Sequence, residues 1–321
     1  MRFSIFQDTE IGARTTNQDR MGYCFSRESL LMIVADGMGG HMRGEVAAQL
    51  SMQTAAAMFQ QAAQPRLKDP AEFLDQAFRA GHRELHRYRE MHGLPECPRT
   101  TIVACIIQDN MAWWAHAGDS RLYLMRRGKL ATRTRDHSKV ETLLNLGLIT
   151  QEQTETHPER NKVLNCLGSP FEPSIEVHSQ YPLRSGDVIL LCSDGFWSGI
   201  DETDMARELN EEPVMEVVPR LVRRAVQRNG VTADNTTALA LQWDSEIDVD
   251  DIPTLSSLGL PDGAVTTTIA IGVNAGPETE ATDLTEDEIE RTIAEIQNAI
   301  QRSNRDAKYR REHKDNPGPR R

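Results

Sequence analysis

Asp36, Asp119 and Asp194 each close an apolar run: Leu31 to Ala35, Trp113 to Ala117 with Gly118, and Val188 to Cys192 with Ser193. Asp19 and Asp234 stand just before two more, Met21 to Phe25 and Thr237 to Leu241. A strand end is a stiff mount for a side chain, and carboxylates gathered at one end of a sheet repel unless a cation lies between them. Taken singly, each aspartate reads equally well as a turn residue, because Asp tolerates unusual backbone angles. Taken together, they read as a holder of hard divalent cations. The run Asp36-Gly37-Met38-Gly39-Gly40-His41 is too glycine-rich for a simple hairpin, and glycine lets a ligand approach the backbone closely.

Arg14, in Arg14-Thr15-Thr16-Asn17-Gln18-Asp19, adds a cation whose planar fork can hold two phosphate oxygens at once. No Cys/His spacing suits zinc, and oxygen ligands favour Mg²⁺ or Mn²⁺. Carboxylates, two such metals and an arginine describe a phosphoryl-hydrolysis site. The metals would share a water, lower its pKa and aim the hydroxide in line at phosphorus.

These residues need a rigid scaffold, and the chain of 321 residues is long enough for one large domain plus a tail. About eight of its twelve net negative charges lie from Asp244 onward, so the acidity belongs mostly to the tail. The absence of a Lys/Arg cluster before that point argues against nucleic acid as a partner. Cys24, Cys97, Cys105, Cys166 and Cys192 are odd in number and scattered, which fits buried thiols in a reducing compartment. No stretch reaches the roughly twenty apolar residues of a membrane span, and no leader pattern opens the chain. The expectation is a cytoplasmic monomer.

Short strand-like runs cluster in the first forty residues, around 100–130 and over 175–243. Helices are expected at 44–62, at 71–91 behind Asp69-Pro70, and at about 213–228, where Val214, Val217, Val218, Leu221, Val222 and Ala225 recur at helical spacing. Without a repeating strand-helix-strand unit, the pattern is α+β with antiparallel sheets. A polar, helix-prone excursion at 137–168 reads as a flap contacting substrate, with a plain surface excursion as the alternative. Residues 244–283 read as a flexible acidic and low-complexity linker, including Thr266-Thr267-Thr268. Residues 284–321 read as an amphipathic helix with a basic tail. Thr285 to Glu288 makes its capping box, and Ile289, Ile293, Ile296 and Ile300 form a narrow stripe for docking on the domain or on a protein partner. A chain ending near Trp243 is expected to fold by itself.

In order and spacing, Arg14 to Asp19, Asp36-Gly37, Gly118-Asp119-Ser120-Arg121, Asp136-His137-Ser138, Ser193-Asp194-Gly195 and Asp234-Asn235-Thr236-Thr237 resemble the metal-dependent type 2C protein serine/threonine phosphatases, bacterial members above all. The resemblance covers about residues 8–243. It implies an α-β-β-α sandwich of two antiparallel sheets flanked by helix pairs, with the metals at one end between the sheets. By motif position, Asp36 would bridge two metals, Asp194 and Asp234 would complete the first, and the Gly37 carbonyl would bind the second with Asp19 direct or through water. Asp119 with Asp194 would make a weaker third site, and Arg14 would hold the substrate phosphate. Asp136 matches a family motif and is read as structural.

The chain departs from the family at three places. Met38 stands where eukaryotic members have a histidine proposed as general acid, which leaves leaving-group protonation to His41, to metal-bound water or to no group; His41 is read as structural. Gln18 replaces a glutamate ligand, so the second metal is expected to carry more water. Pro98-Arg99-Thr100-Thr101 replaces Gly-Thr-Thr, and Arg99 is read as a surface residue rather than a second anion contact. The implied activity is hydrolysis of phosphoserine and phosphothreonine in proteins, opposing a bacterial Ser/Thr kinase. The alternatives are a silent phosphoprotein-binding scaffold and a hydrolase of small phosphate esters.

Overall fold

Leu30, Met32 and Val34 face one apolar layer while Leu31, Ile33 and Ala35 face another, and all six are fully buried. A strand apolar on both faces must be covered on both, and that requirement sets the layering here. In the computed structural model, residues 1–38, 43–243, 255–261 and 263–269 are described, all inside the unit Met1–Ile271. The second unit, Gly272–Arg321, lies outside the described residues, and with it the capping box and the isoleucine stripe.

The first half of the chain forms β1 (Arg2–Glu10), β2 (Asp19–Phe25), β3 (Ser29–Gly37), α1 (Gly44–Ala62), α2 (Pro70–Met91), β4 (Thr100–Gln108), β5 (Met111–Ala117), β6 (Arg121–Arg126) and β7 (Lys129–Arg133). Then follow α3 (Lys139–Asn145), α4 (Gln151–Thr156), β8 (Glu176–Pro182), β9 (Val188–Cys192), α5 (Asp194–Trp197), α6 (Glu202–Glu211), α7 (Val214–Asn229), β10 (Thr236–Trp243), β11 (Leu255–Ser256) and β12 (Thr266–Thr267). One sheet has the order β11-β1-β10-β9-β6-β7 and the other β12-β2-β3-β4-β5-β8. All these pairings are antiparallel.

Phe3, Met32, Val103, Leu122, Leu191, Leu239 and their neighbours fill the space between the sheets. Residues of α1 and α2 cover the outer face of the second sheet, and residues of α5, α6 and α7 that of the first. The α+β sandwich expected from the sequence is the observed architecture. Among the described residues no helix is long and apolar enough to cross a membrane.

Local signals act as expected at the helices. The Asp69 side chain accepts from the Ala71 and Glu72 amides, both at 3.0 Å, and so caps α2. In the 137–168 excursion, Ser138 caps α3 by accepting from the Glu141 amide at 3.2 Å, and Gly147 turns the chain with φ of 68°. The Leu164 amide donates to the His137 carbonyl at 2.8 Å, which closes the root of the excursion.

The linker expectation is corrected where the chain is described. Leu255–Ser256 pairs with β1 and Thr266–Thr267 with β2, so this stretch caps one edge of each sheet. Edge strands present unpaired N–H and C=O groups, which an extended segment can satisfy. Ile269 is buried over Gly22, where any Cβ would lie 2.5 Å from its Cγ1. Composition alone hid this packing, because a two-residue strand has no period to read.

Candidate active site

Asp36 continues the alternation of Leu30, Met32 and Val34, which directs its side chain between the sheets at their end. Asp19, the first residue of β2, is its direct cross-strand partner. The facing sheet supplies Asp194 just past β9 and Asp234 just before β10. Asp119 sits on the Gly118-Asp119-Ser120 link by which the chain passes from β5 in one sheet to β6 in the other. Gly118 has φ of 123°, and a Cβ there would meet Thr101 Cβ at 2.5 Å, so only glycine makes this crossing.

The carboxylates raise one another's pKa. Burial, reinforced by the neighbouring aspartates, pushes Asp36 and Asp194 well above the ordinary carboxylate range. Burial also raises Asp19, and it pushes Asp119 up to about 7, with repulsion from Asp136 adding and Arg121 opposing. Asp19 Oδ1 is buried with no hydrogen-bond partner. A buried lone carboxylate oxygen beside mutually repelling carboxylates is the setting a hard divalent cation satisfies, so the residues present fit Mn²⁺ or Mg²⁺.

Arg14 donates from Nη2 to Asp234 Oδ2 at 2.6 Å. With Thr15, Thr16, Gln18, Asp36, Gly37, Asp234 and Asn235 it lines a groove of about 210 Å³. A larger cleft of about 410 Å³, at the far ends of β6 and β9, holds none of these residues. Gly37 packs against the start of α1, and a Cβ there would lie 2.3 Å from the Gly44 carbonyl. The structure therefore brings Arg14, Asp36, Gly37 and Asp234 to one groove, with Asp19, Asp119 and Asp194 among the mutually repelling carboxylates. His41 lies outside the described residues.

The three departures have local outcomes. Gln18 donates from Nε2 to Glu45 Oε2 at 3.2 Å, so its amide is tethered to the first turn of α1. The Met38 amide donates to the Arg99 carbonyl at 3.0 Å. Arg99 is half-buried and outside the groove lining, with Nε unpartnered.

Several supporting residues carry no assigned role in the sequence, Asp136 apart, which is read there as structural. Asn235 accepts from the Gln18 amide at 2.8 Å and donates to the carbonyls of Ile11 at 2.9 Å and Thr16 at 3.1 Å, which ties the Arg14 loop to β10. Asp136 takes both Arg121 Nε and Nη2 at 2.8 Å. The same guanidinium lies 3.6 Å over the Trp197 ring, whose Nε1 donates to the Asp119 carbonyl at 2.9 Å. Asn235, Arg121 and Asp136 belonged to the quoted motifs, but Trp197 carried no signal beyond following Ser193-Asp194-Gly195.

Residues 7–239 match the family model of protein phosphatase 2C. Serine/threonine protein phosphatase PstP of Mycobacterium tuberculosis is 35% identical over 240 residues, 74% of this chain and 44% of that protein, so the chain spans under half of that relative's length. Serine/threonine phosphatase stp of Listeria monocytogenes is 31% identical over 235 residues, 72% of this chain and 92% of that protein. Among solved structures, the M. tuberculosis phosphatase PstP/Ppp superposes with a TM-score of 0.66 at 32% identity, covering 76% of this chain and 100% of that one. The catalytic domain of PstP in complex with two manganese ions gives a TM-score of 0.62 at 30% identity, covering 75% of this chain and 99% of that one.

Proposed function

Because the chain belongs to the protein phosphatase 2C family, we propose that it hydrolyses phosphoserine and phosphothreonine esters in proteins and so opposes a bacterial Ser/Thr kinase. The observation that carries this reading is the convergence of Asp36, Asp19, Asp194 and Asp119, with raised pKa values, beside a groove rimmed by Arg14. Asp36, Asp194 and Asp234 with the Gly37 carbonyl would hold two Mn²⁺ or Mg²⁺ ions, Asp19 would anchor one of them, and Asp119 would serve a weaker third. Bound there, the ions would lower the pKa of a water and neutralise phosphoryl charge.

The remaining chemistry belongs to the chain itself. Arg14 is held at the rim by Asp234 in the free protein. Its fork would exchange that carboxylate for two phosphoryl oxygens of the substrate, which places phosphorus over the carboxylate cluster. Asn235 keeps the Arg14 loop in register during this exchange. The described lining of the groove holds no histidine. His41, read from the sequence as structural, lies outside the described residues, so this lining does not bear on it.

The test is phosphate release from a phosphothreonine peptide with Mn²⁺, with EDTA and in Asp36→Asn, run beside a small aryl phosphate. Metal-dependent release from the peptide, lost in EDTA and in the variant, is expected. Tight Mn²⁺ binding without turnover would favour a silent scaffold, and turnover of the aryl phosphate alone would favour a small-ester hydrolase.

A further inference from the structure

Away from the carboxylate cluster, His116 of β5 and Glu176 of β8 are direct cross-strand partners, so their side chains emerge on the same face. The His137 ring stacks on His116 at 4.4 Å and 29°, and one donor atom from each of the three residues lies within 4.8 Å of the others. We propose that His116, His137 and Glu176 form a binding site for a single transition-metal ion of the Zn²⁺ or Cu²⁺ class.

His116 is 1% exposed, and its Nε2 is 2.6 Å from the Arg135 carbonyl, which can only accept. The ring proton therefore sits on Nε2, and Nδ1 is left as a buried lone pair with no partner. Burial lowers the His116 pKa, which keeps the ring neutral and the lone pair available. A backbone carbonyl on the far ring nitrogen is how proteins orient metal-ligating histidines. Two imidazoles and one carboxylate with open positions suit zinc or copper, and are too nitrogen-rich to prefer Mg²⁺ or Mn²⁺.

His137 sets how tightly the site can close. Its Nε2 is 3.5 Å from Glu176 Oε2, and its Nδ1 is 2.6 Å from Asn165 Nδ2. The Asn165 amide orientation is set by Ser174, whose carbonyl accepts from Nδ2 at 2.7 Å and whose amide donates to Oδ1 at 3.0 Å. His137 Nδ1 is thus an acceptor, and its proton points from Nε2 toward Glu176. Metal binding at Nε2 shifts that proton to Nδ1, with no net release, and sets it against Asn165 Nδ2 and, at 3.4 Å, the Gly118 amide, which also donates to Nδ1. Asn165 therefore holds the affinity down. An ion here would tie β5 and β8 to the root of the 137–168 excursion, where the His137 amide donates to the Gly118 carbonyl at 2.9 Å, one residue before Asp119.

The experiment uses the full chain stripped with EDTA, given one equivalent of Cu²⁺ and read by pulsed electron paramagnetic resonance. Two imidazole nitrogens coupled to copper are expected, because the described carboxylate cluster offers only oxygen. His137→Gln should remove one nitrogen and His116→Gln should abolish the site. Asn165→Asp, which presents an oxygen to Nδ1–H, should tighten Cu²⁺ binding by about tenfold. A spectrum without imidazole nitrogen overturns the proposal, as does nitrogen coupling that survives both histidine substitutions. If His116→Gln does not fold, His137→Gln and Asn165→Asp still decide it, since neither residue is fully buried.

Discussion

The Ser193 hydroxyl, at the end of β9, donates at 2.7 Å to Oδ2 of Asp19, the first residue of β2 in the facing sheet. Ser193 Oγ in turn accepts from the Thr237 amide at 3.0 Å. Ser193 thus joins the two sheets where the carboxylates meet. Ser193→Ala leaves a buried carboxylate and a buried amide each short of a partner, and should cost roughly 1–3 kcal/mol. Urea unfolding of the metal-free protein measures this, and an unchanged midpoint would contradict it.

Asp119 makes the metal-free protein sensitive to pH. The folded chain holds a proton on Asp119 up to about pH 7, whereas the unfolded chain releases it at about pH 4. The folded state therefore binds more protons between these values, and stability falls as pH rises through them, by up to about 1.4 kcal/mol per pH unit for one such group. In EDTA, the Tm of the wild type should fall between pH 5.5 and 8 more steeply than that of Asp119→Asn. His82 and His116, lowered by burial, act with the opposite sign in acid but are common to both proteins, so they cancel in the comparison.

Asp36→Asn and Asp194→Asn should separate stability from activity. Each removes one carboxylate from a set that burial and repulsion hold well above the usual range, so the metal-free Tm should rise. Phosphopeptide hydrolysis in Mn²⁺ should fall by more than about 100-fold, because several kcal/mol of transition-state stabilisation is lost. Phosphate release from the peptide in Mn²⁺ and thermal melts in EDTA read the two effects separately.

Arg14→Ala should raise KM for a phosphothreonine peptide by about 10- to 100-fold, the value of a charged hydrogen-bonded contact. Arg14→Lys should recover little, since an ammonium cannot match two oxygens in a plane. Steady-state kinetics on the three proteins check this. Equal KM in all three would remove Arg14 from phosphate binding.

The position of the C-terminal cut should matter. A chain ending at Trp243 loses β11, β12 and buried Ile269, whereas one ending at Ile271 keeps them. Burial of one Ile side chain is worth about 2 kcal/mol, or roughly 4–8 °C in Tm for a domain of this size. Both chains should hydrolyse an aryl phosphate, and the shorter should melt first. Identical melting curves would make the edge strands dispensable.

Much of the scaffold was legible in the residues. The alanine-rich run 44–62, the Asp69-Pro70 start before 71–91 and the apolar spacing over 213–228 mark α1, α2 and α7, and the unbroken apolar run Leu31 to Ala35 marks a strand. Aspartates at strand ends were visible for the same reason. Periodicity records which face of an element is buried, and that is a local property of the chain.

Contacts between elements that meet only on folding were beyond such reading. Ser193 and Asp19 are 174 residues apart, and Asn235 reaches Thr16 across 219. His116, His137 and Glu176 assemble from β5, the root of the 137–168 excursion and β8, none of which carries metal spacing in sequence. The edge strands at Leu255 and Thr266 exist because β1 and β2 leave hydrogen-bonding groups open, not because of their own composition. The residue types and their order along the chain were enough to indicate a cation-holding phosphoryl site. Register and sheet stacking alone decided which oxygen is left without a partner, which ring nitrogen keeps its lone pair and where the domain ends, because these depend on neighbours that sequence spacing does not encode.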